Sequence, residues 1–151
     1  MRTIAMQRFC TVPALFVITA LALFPSCSRQ TSYPAPMQQG DNIVIDVASL
    51  RPDTPVFFSY AYRAKNINFF LLRINNKVSS FLDACATCYR QKLGYRPEDG
   101  HVICRACNTR YSIYKLEKGL GGCYPIRING VMKASEYLIP AASLERMADK
   151  F

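Results

Sequence analysis

The stretch Asp83–Cys107, DACATCYRQKLGYRPEDGHVICRAC, decides how the chain is read. It holds two Cys-x-x-Cys pairs, Cys85/Cys88 and Cys104/Cys107, with fifteen residues between them. Short loops ending in paired cysteines direct four sulfurs at one point from two sides. Thiolates at that spacing suit tetrahedral zinc, a single iron or an iron–sulfur cluster. One Cys-x-x-Cys alone would fit a redox dithiol equally well, and the doubling is what points to metal. Two disulfides stapling a small exported domain remain the competing reading.

Strand patterns lead into both pairs. Val78–Leu82 delivers the chain to Cys85, and His101-Val102-Ile103 delivers it to Cys104, across a turn at Pro97-Glu98-Asp99-Gly100. This strand–knuckle–turn–strand–knuckle order is that of zinc ribbons and rubredoxin-like sites. Upstream, Ile43–Val47, Val56–Ala64 and Phe69–Ile74 alternate as strands, giving with Val78–Leu82 an antiparallel meander of about four. Lys65–Asn68 and Asn75–Lys77 are the expected turns. Val56, Phe58, Tyr60 and Tyr62 share one face, and aromatic residues at strand spacing read as core. Downstream, Tyr111–Leu116 reads as a strand, Asn129-Gly130 as a hairpin turn, and Tyr137–Ile139 as a final strand. In the closing AASLERMADKF, Leu144, Met147, Ala148 and Phe151 fall at helical spacing. The expected fold is mainly β: a small antiparallel meander, the double Cys-x-x-Cys metal module and a short C-terminal helix.

A fifth cysteine, Cys123, follows Gly121-Gly122 after a further fifteen residues. Glycines there permit close backbone approach and N–H donation to sulfur. Between Cys85 and Arg127 lie eight basic residues (among them Arg90, Lys92, Arg96, Arg105 and Arg110) against Glu98, Asp99 and Glu117. Cations near four thiolates stabilise their charge and lower their pKa values, although any single Lys or Arg more often faces solvent. The one histidine, His101, reads as an exposed hairpin residue rather than a ligand.

The N-terminus has a different composition. Arg2 and Arg8 precede and flank an apolar run, Phe9–Phe24, which is short for a membrane span and right for a signal peptide. It ends LFPSC, which looks like a lipoprotein signal with Cys27 as the acylated first mature residue. An ordinary secretory signal or an uncleaved anchor are the alternatives, and all three put the rest outside the cytoplasm. The expected organisation is a signal peptide over 1–26, a lipidated tether over 27–42 and a cysteine-rich domain over 43–151. Cleavage removes two of nineteen basic residues and none of the ten acidic ones, changing the charge from +9 to +7. A basic exported domain suits anionic lipid or an acidic partner, and its compartment excludes nucleic acid.

Enzyme readings find no support. One histidine without a nucleophile motif makes no triad, and no carboxylate pair has acid–base spacing. Tyr89 and Asn108 stand where covalent haem attachment needs His.

The run DACATC…GY…GHVICRAC…GGCYPIRI resembles the bacterial membrane iron–sulfur-containing FtrD-like family. The resemblance covers about Ile43–Ile128, with its specific residues within Asp83–Pro125. It implies cluster ligands at Cys85, Cys88, Cys104 and Cys107, with Cys123 as the family's additional cysteine, and a place beside an iron-transport system. Tyr124 and Arg127 stand where the family usually has Asn and Pro, and a lipid tether replaces its membrane bundle. Together these readings give an exported, membrane-anchored iron or iron–sulfur protein for electron transfer or iron handling. A structural four-cysteine zinc site and a thiol–disulfide protein are the alternatives.

Overall fold

The computed structural model describes residues 30–118 and 122–151. The signal, Cys27 and the first glycines of the Cys123 loop lie outside the described residues. Strands are β1 (Met37–Gln39), β2 (Asn42–Asp46), β3 (Val56–Tyr62), β4 (Lys65–Ile74), β5 (Lys77–Cys85), β6 (Tyr95–Glu98), β7 (His101–Cys104), β8 (Arg110–Ser112), β9 (Pro125–Ile128), β10 (Val131–Lys133) and β11 (Glu136–Pro140). A single α-helical turn, α1 (Ala141–Glu145), follows.

The protein is mainly β, built as three antiparallel sheets. The central sheet has the order β3-β4-β5-β9, with β1-β2-β11-β10 on one side and the small sheet β6-β7-β8 on the other. The reason lies in β4. Its run Ile67–Leu72 is buried on both faces, as a strand covered on two sides must be. Ile67, Phe69 and Leu71 meet Ile43, Ile45, Tyr137 and Ile139 of the outer sheet. Phe70 and Leu72 face the other way, onto Tyr95, Val102, Cys85 and Cys104. Along that second face Phe57, Phe70 and Phe81 stand side by side across three strands, with centroids 5.1 and 5.4 Å apart. Tyr33 extends the row, 4.9 Å from Phe57. The aromatic row is the floor on which the cysteine module sits.

The expected β3–β5 meander is present, with Val56, Phe58, Tyr60 and Tyr62 packed in the core as their period implied. Four local expectations are corrected. Ile43–Val47 does not join the meander; β2 pairs with β1 and β11. The β3–β4 turn is Arg63-Ala64, both with positive φ (44° and 59°), rather than Lys65–Asn68. Pairing dictates it: Asn68 is fully buried, accepting from Ser59 Oγ at 2.7 Å and donating to the Thr31 carbonyl at 2.6 Å. A polar residue that looks like a turn former is here a satisfied core residue.

Asn129-Gly130 is no hairpin turn. β9 pairs with β5 while β10 pairs with β11, so the dipeptide crosses between sheets, and the hairpin turn is Ala134-Ser135. Gly130 is needed for contact, because a Cβ there would meet the Tyr137 ring. The strand expected over Tyr111–Leu116 stops at Ser112 and continues as a 3-10 helix, Ile113–Lys118. Ile113 and Leu116, three apart, then bury one face of that helix beside Phe70 and Phe81. At the C-terminus, Leu144, Met147, Ala148 and Phe151 do face the core, although regular helix ends at Glu145.

The tether expectation over 27–42 also changes in its described part. β1 lies within it, Tyr33 N donates to Ser59 Oγ at 2.8 Å, and Ser59 N donates to the Pro34 carbonyl at 3.1 Å. From Gln30 onward this polar, Pro-containing segment is docked on the domain. Unpaired groups on β3 and the buried Asn68 amide give its backbone partners, which composition alone does not reveal.

Candidate metal centre

Both knuckles begin at the end of a strand. Near its end β5 shifts register against β9 between Phe81 and Cys85, and strand alternation puts buried Asp83 and buried Cys85 on the same face as Phe81. The Thr87 and Cys88 amides donate to Cys85 Sγ at 3.4 and 3.1 Å. β7 delivers Cys104 in the same way, with the Ala106 and Cys107 amides directed at its sulfur. The Asn108 amide closes that loop on the Cys104 carbonyl at 2.8 Å, Asn108 taking φ 57°. Two successive amides aimed at a sulfur stabilise it as thiolate, the form that binds metal.

The structure brings all five expected cysteines together. Cys85, Cys88 and Cys104 form one triad with sulfurs within 4.8 Å of one another; Cys88, Cys107 and Cys123 form a second. Cys88 is common to both. Cys88 Sγ and Cys123 Sγ are 3.6 Å apart, far beyond the roughly 2.05 Å of a disulfide, and all five are free thiols. A single metal with sulfurs at about 2.3 Å would put its ligands just under 4 Å apart, so the separations suit thiolate ligation. Four sulfurs complete a tetrahedral metal or a cluster; the fifth is surplus. His101 is in neither group, its Nδ1 lying 2.8 Å from the Asp99 carbonyl.

The thiols differ in environment. Burial pushes Cys85 up, but the Cys88 and Thr87 amides and the neighbouring Cys123 and Cys88 thiols outweigh it and bring Cys85 below the usual thiol range. Cys107, exposed at the rim, is lowered to about 6 by the Thr109 hydroxyl, 3.2 Å away. Burial raises Cys104 to about 11. Cys88 is raised through its contact with Cys123, and Cys123 through its contact with Cys107. Crowded thiols cannot all ionise without a cation among them.

Residues that the spacing argument did not single out hold the centre together. Tyr95 is fully buried. Its amide donates to Asp83 Oδ1 at 2.6 Å, its hydroxyl to the Cys123 carbonyl at 2.8 Å, and its carbonyl accepts from Arg105 Nε at 3.0 Å. One residue thus ties the end of β5, the second knuckle and the Cys123 loop. Burial holds the Asp83 carboxyl up at about 7, against the Tyr95 amide, the Arg105 charge and the Tyr33 hydroxyl, which pull it down. Thr87 Oγ1 donates to the Gly122 carbonyl in a short hydrogen bond, and the Ala86 amide to the Tyr124 carbonyl at 3.2 Å. The Asp and the Gly-Tyr of the quoted stretch were the available signals.

Gly94 explains itself. Its φ is +66°, and a Cβ would run into the Asp83 carboxylate. Gly94→Ala is expected to cost at least about 2 kcal/mol, from the left-handed backbone and from displacing a buried hydrogen-bonded carboxylate. Chemical denaturation of the full chain reads this directly, and a cost under about 0.5 kcal/mol would contradict the packing described.

The basic excess is less available than the count suggested. Arg96 and Arg110 both pair with Glu98, and Arg96 also reaches Asn108 Oδ1. Arg105 is the cation whose charge reaches the buried Asp83 beside the centre.

Residues 50–151 match the family described as membrane iron–sulfur containing protein FtrD-like, two thirds of the chain including every cysteine of the centre. The chain belongs to the FtrD-like family. Among curated proteins none matches it. Among solved structures, the ferredoxin of carbazole 1,9a-dioxygenase from Nocardioides aromaticivorans IC177 is similar over 72% of this chain and 98% of that one. The identity is 13% and the TM-score 0.41, a likeness too slight to support any conclusion about this protein. For this FtrD-like chain the donor set fits the family's description. Five convergent sulfurs, backed by amides and walled by the Phe70–Tyr95 cluster, are a cysteine site for an iron–sulfur cluster or metal ion. Among the described residues no helix is long and apolar enough to cross a membrane.

Proposed function

We propose that this FtrD-like chain is an exported protein, acylated at Cys27, that carries electrons or handles iron beside an envelope transport or redox partner. Cys85, Cys88, Cys104 and Cys107 would hold the iron or iron–sulfur centre, with Cys123 as a fifth, neighbouring thiolate. The observation that carries the reading is the convergence of these five sulfurs in a member of an iron–sulfur family. Bound there, the centre supplies a one-electron redox couple. The chain's own residues do the rest. Knuckle amides and Tyr95 fix the sulfurs, buried Cys85 and Cys104 close the inner side, and exposed Cys107 leaves an outer side open to a partner. The role is that of a carrier rather than a catalyst.

A thiol–disulfide role is disfavoured, because both pairs leave strands, and the helix that follows Cys88 is one three-residue 3-10 turn, Tyr89–Gln91, too short for a dipole that would activate a thiol. Redox titration of the anaerobically purified chain, followed by visible absorption and electron paramagnetic resonance, tests the electron-carrying role. A reversible one-electron transition supports it; a centre that bleaches irreversibly, or shows no transition, contradicts it. The anchor has its own test. Cys27→Ala is expected to release the domain from membranes or leave the precursor uncleaved. A mature N-terminus beyond residue 27 without an acyl mass would refute lipidation.

A further inference from the structure

The first described residues lie at one end of the central sheet, and the cysteine knuckle lies at that same end. Gln30 Nε2 donates to the Asn66 carbonyl at 2.9 Å, and the Thr31 carbonyl accepts from Asn68, so the first described residues lie at the β3–β4 turn. The register Phe58↔Phe69↔Leu82 shows that β4 runs back from Phe69 toward that turn while β5 runs forward from Leu82 toward Cys85. The C-terminal segment joins the two features. Lys65 Nζ donates to the Ala148 carbonyl at 2.8 Å, and Lys150 Nζ sits 4.5 Å over the ring of Tyr89, the residue after Cys88.

This end is also basic. Its segments 62–66, 89–92 and 145–151 carry Arg63, Lys65, Arg90, Lys92, Arg146 and Lys150. Their two acidic side chains are engaged, Asp149 with Lys150 and Glu145 with the Tyr60 hydroxyl. Arg63, Lys65, Arg90, Lys92 and Arg146 are exposed.

We infer that this end of the domain is a docking surface for an anionic lipid bilayer, so that the cysteine centre is held toward the membrane. The inference rests on the proposed acylation of Cys27. Only Ser28 and Arg29 lie between Cys27 and Gln30, and the three residue steps from one to the other cover about 10 Å in a fully extended chain. A domain docked from Gln30 onward therefore cannot swing on a long tether. The acyl group holds the β3–β4 turn at the lipid surface, and the basic side chains meet phosphate headgroups there. The opposite end, with the Asn75-Asn76 turn, points away. A membrane-embedded partner would then approach the centre from the side on which Cys88 and Tyr89 lie.

The test uses full-length protein taken from a bacterial membrane fraction and placed in detergent, in phosphatidylcholine vesicles and in vesicles rich in phosphatidylglycerol. Amide hydrogen exchange is followed by mass spectrometry, and the Cys27 peptide is weighed in the same samples. The expected result is an acylated Cys27 and exchange slowed about tenfold on phosphatidylglycerol vesicles across 62–66 and 89–92, with 75–77 unchanged. Salt at roughly 0.5 M should reverse the slowing in the wild type, since screening then acts over a few ångströms. The double variant Arg63→Glu with Lys65→Glu should weaken it about tenfold. Acylated protein with equal exchange at both ends, or equal slowing on both lipids, overturns the docking surface and leaves the anchor standing. An unacylated Cys27 overturns both.

Discussion

Cys88→Ser is expected to remove the bound metal almost completely, because its sulfur is the one shared by both triads. Substitution of residues that merely support ligands costs about 10–100-fold in metal affinity, so losing the central ligand should cost at least about a hundredfold. That is roughly 2.7 kcal/mol of binding free energy, withdrawn from the stability of the loaded protein. Cys85→Ser and Cys104→Ser should approach this loss, since each is a buried sulfur receiving two knuckle amides. Cys123→Ser should leave the fold standing, with a thermal midpoint within a few degrees of wild type. Its sulfur is held beside Cys88 by the Tyr95 hydroxyl on its carbonyl, not by a knuckle of its own. Metal analysis and thermal unfolding of the variants side by side check the ranking. A Cys88→Ser protein retaining the wild-type metal content would contradict the shared-sulfur geometry.

The second large effect is expected at Tyr95. Tyr95→Ala opens a void between Phe70 and the cysteines and takes the hydroxyl donor from the Cys123 carbonyl, while the bonds to Asp83 and Arg105, made by the Tyr95 backbone, remain. Truncating a large buried aromatic costs about 3–5 kcal/mol. That is a large part of the 5–15 kcal/mol typical of a domain. Tyr95→Phe isolates the hydroxyl. It keeps the ring against Phe70, edge-on at 6.3 Å, and should cost about 1–2 kcal/mol while loosening the Cys123 loop. Denaturant unfolding separates the two. A Tyr95→Ala cost near that of Tyr95→Phe would mean that the ring is not a core element.

Much of the site could be read from the chain because it depends on short-range spacing. The two Cys-x-x-Cys pairs follow strands whose alternation is plain, and two amides per knuckle are a local consequence of that turn. What could not be read depends on pairing between distant segments. Nothing in Ile43–Val47 says that it leaves the meander to pair with the distant β11; the register Ile45↔Tyr137 does. Asn68 looks like a turn residue until Ser59 and Thr31 are seen to satisfy it in the core. Asn129-Gly130 carries the composition of a hairpin turn, yet Gly130 serves close packing on Tyr137. The polar run after Gln30 has a linker's composition and is nevertheless ordered by backbone bonds to β3. Composition reports what a segment can do alone. Register decides what it does in the fold.

The central claim is that Cys85, Cys88, Cys104 and Cys107, with Cys123 adjoining, hold iron in an FtrD-like protein. Full-length protein purified without oxygen, analysed for iron, zinc and acid-labile sulfide and scanned across the visible range, tests it most directly. The expected result is a coloured protein with at least one iron per chain and thiolate-to-iron absorption that disappears in Cys88→Ser. A colourless protein holding one equivalent of zinc, or five unmodified thiols with no metal, would contradict it.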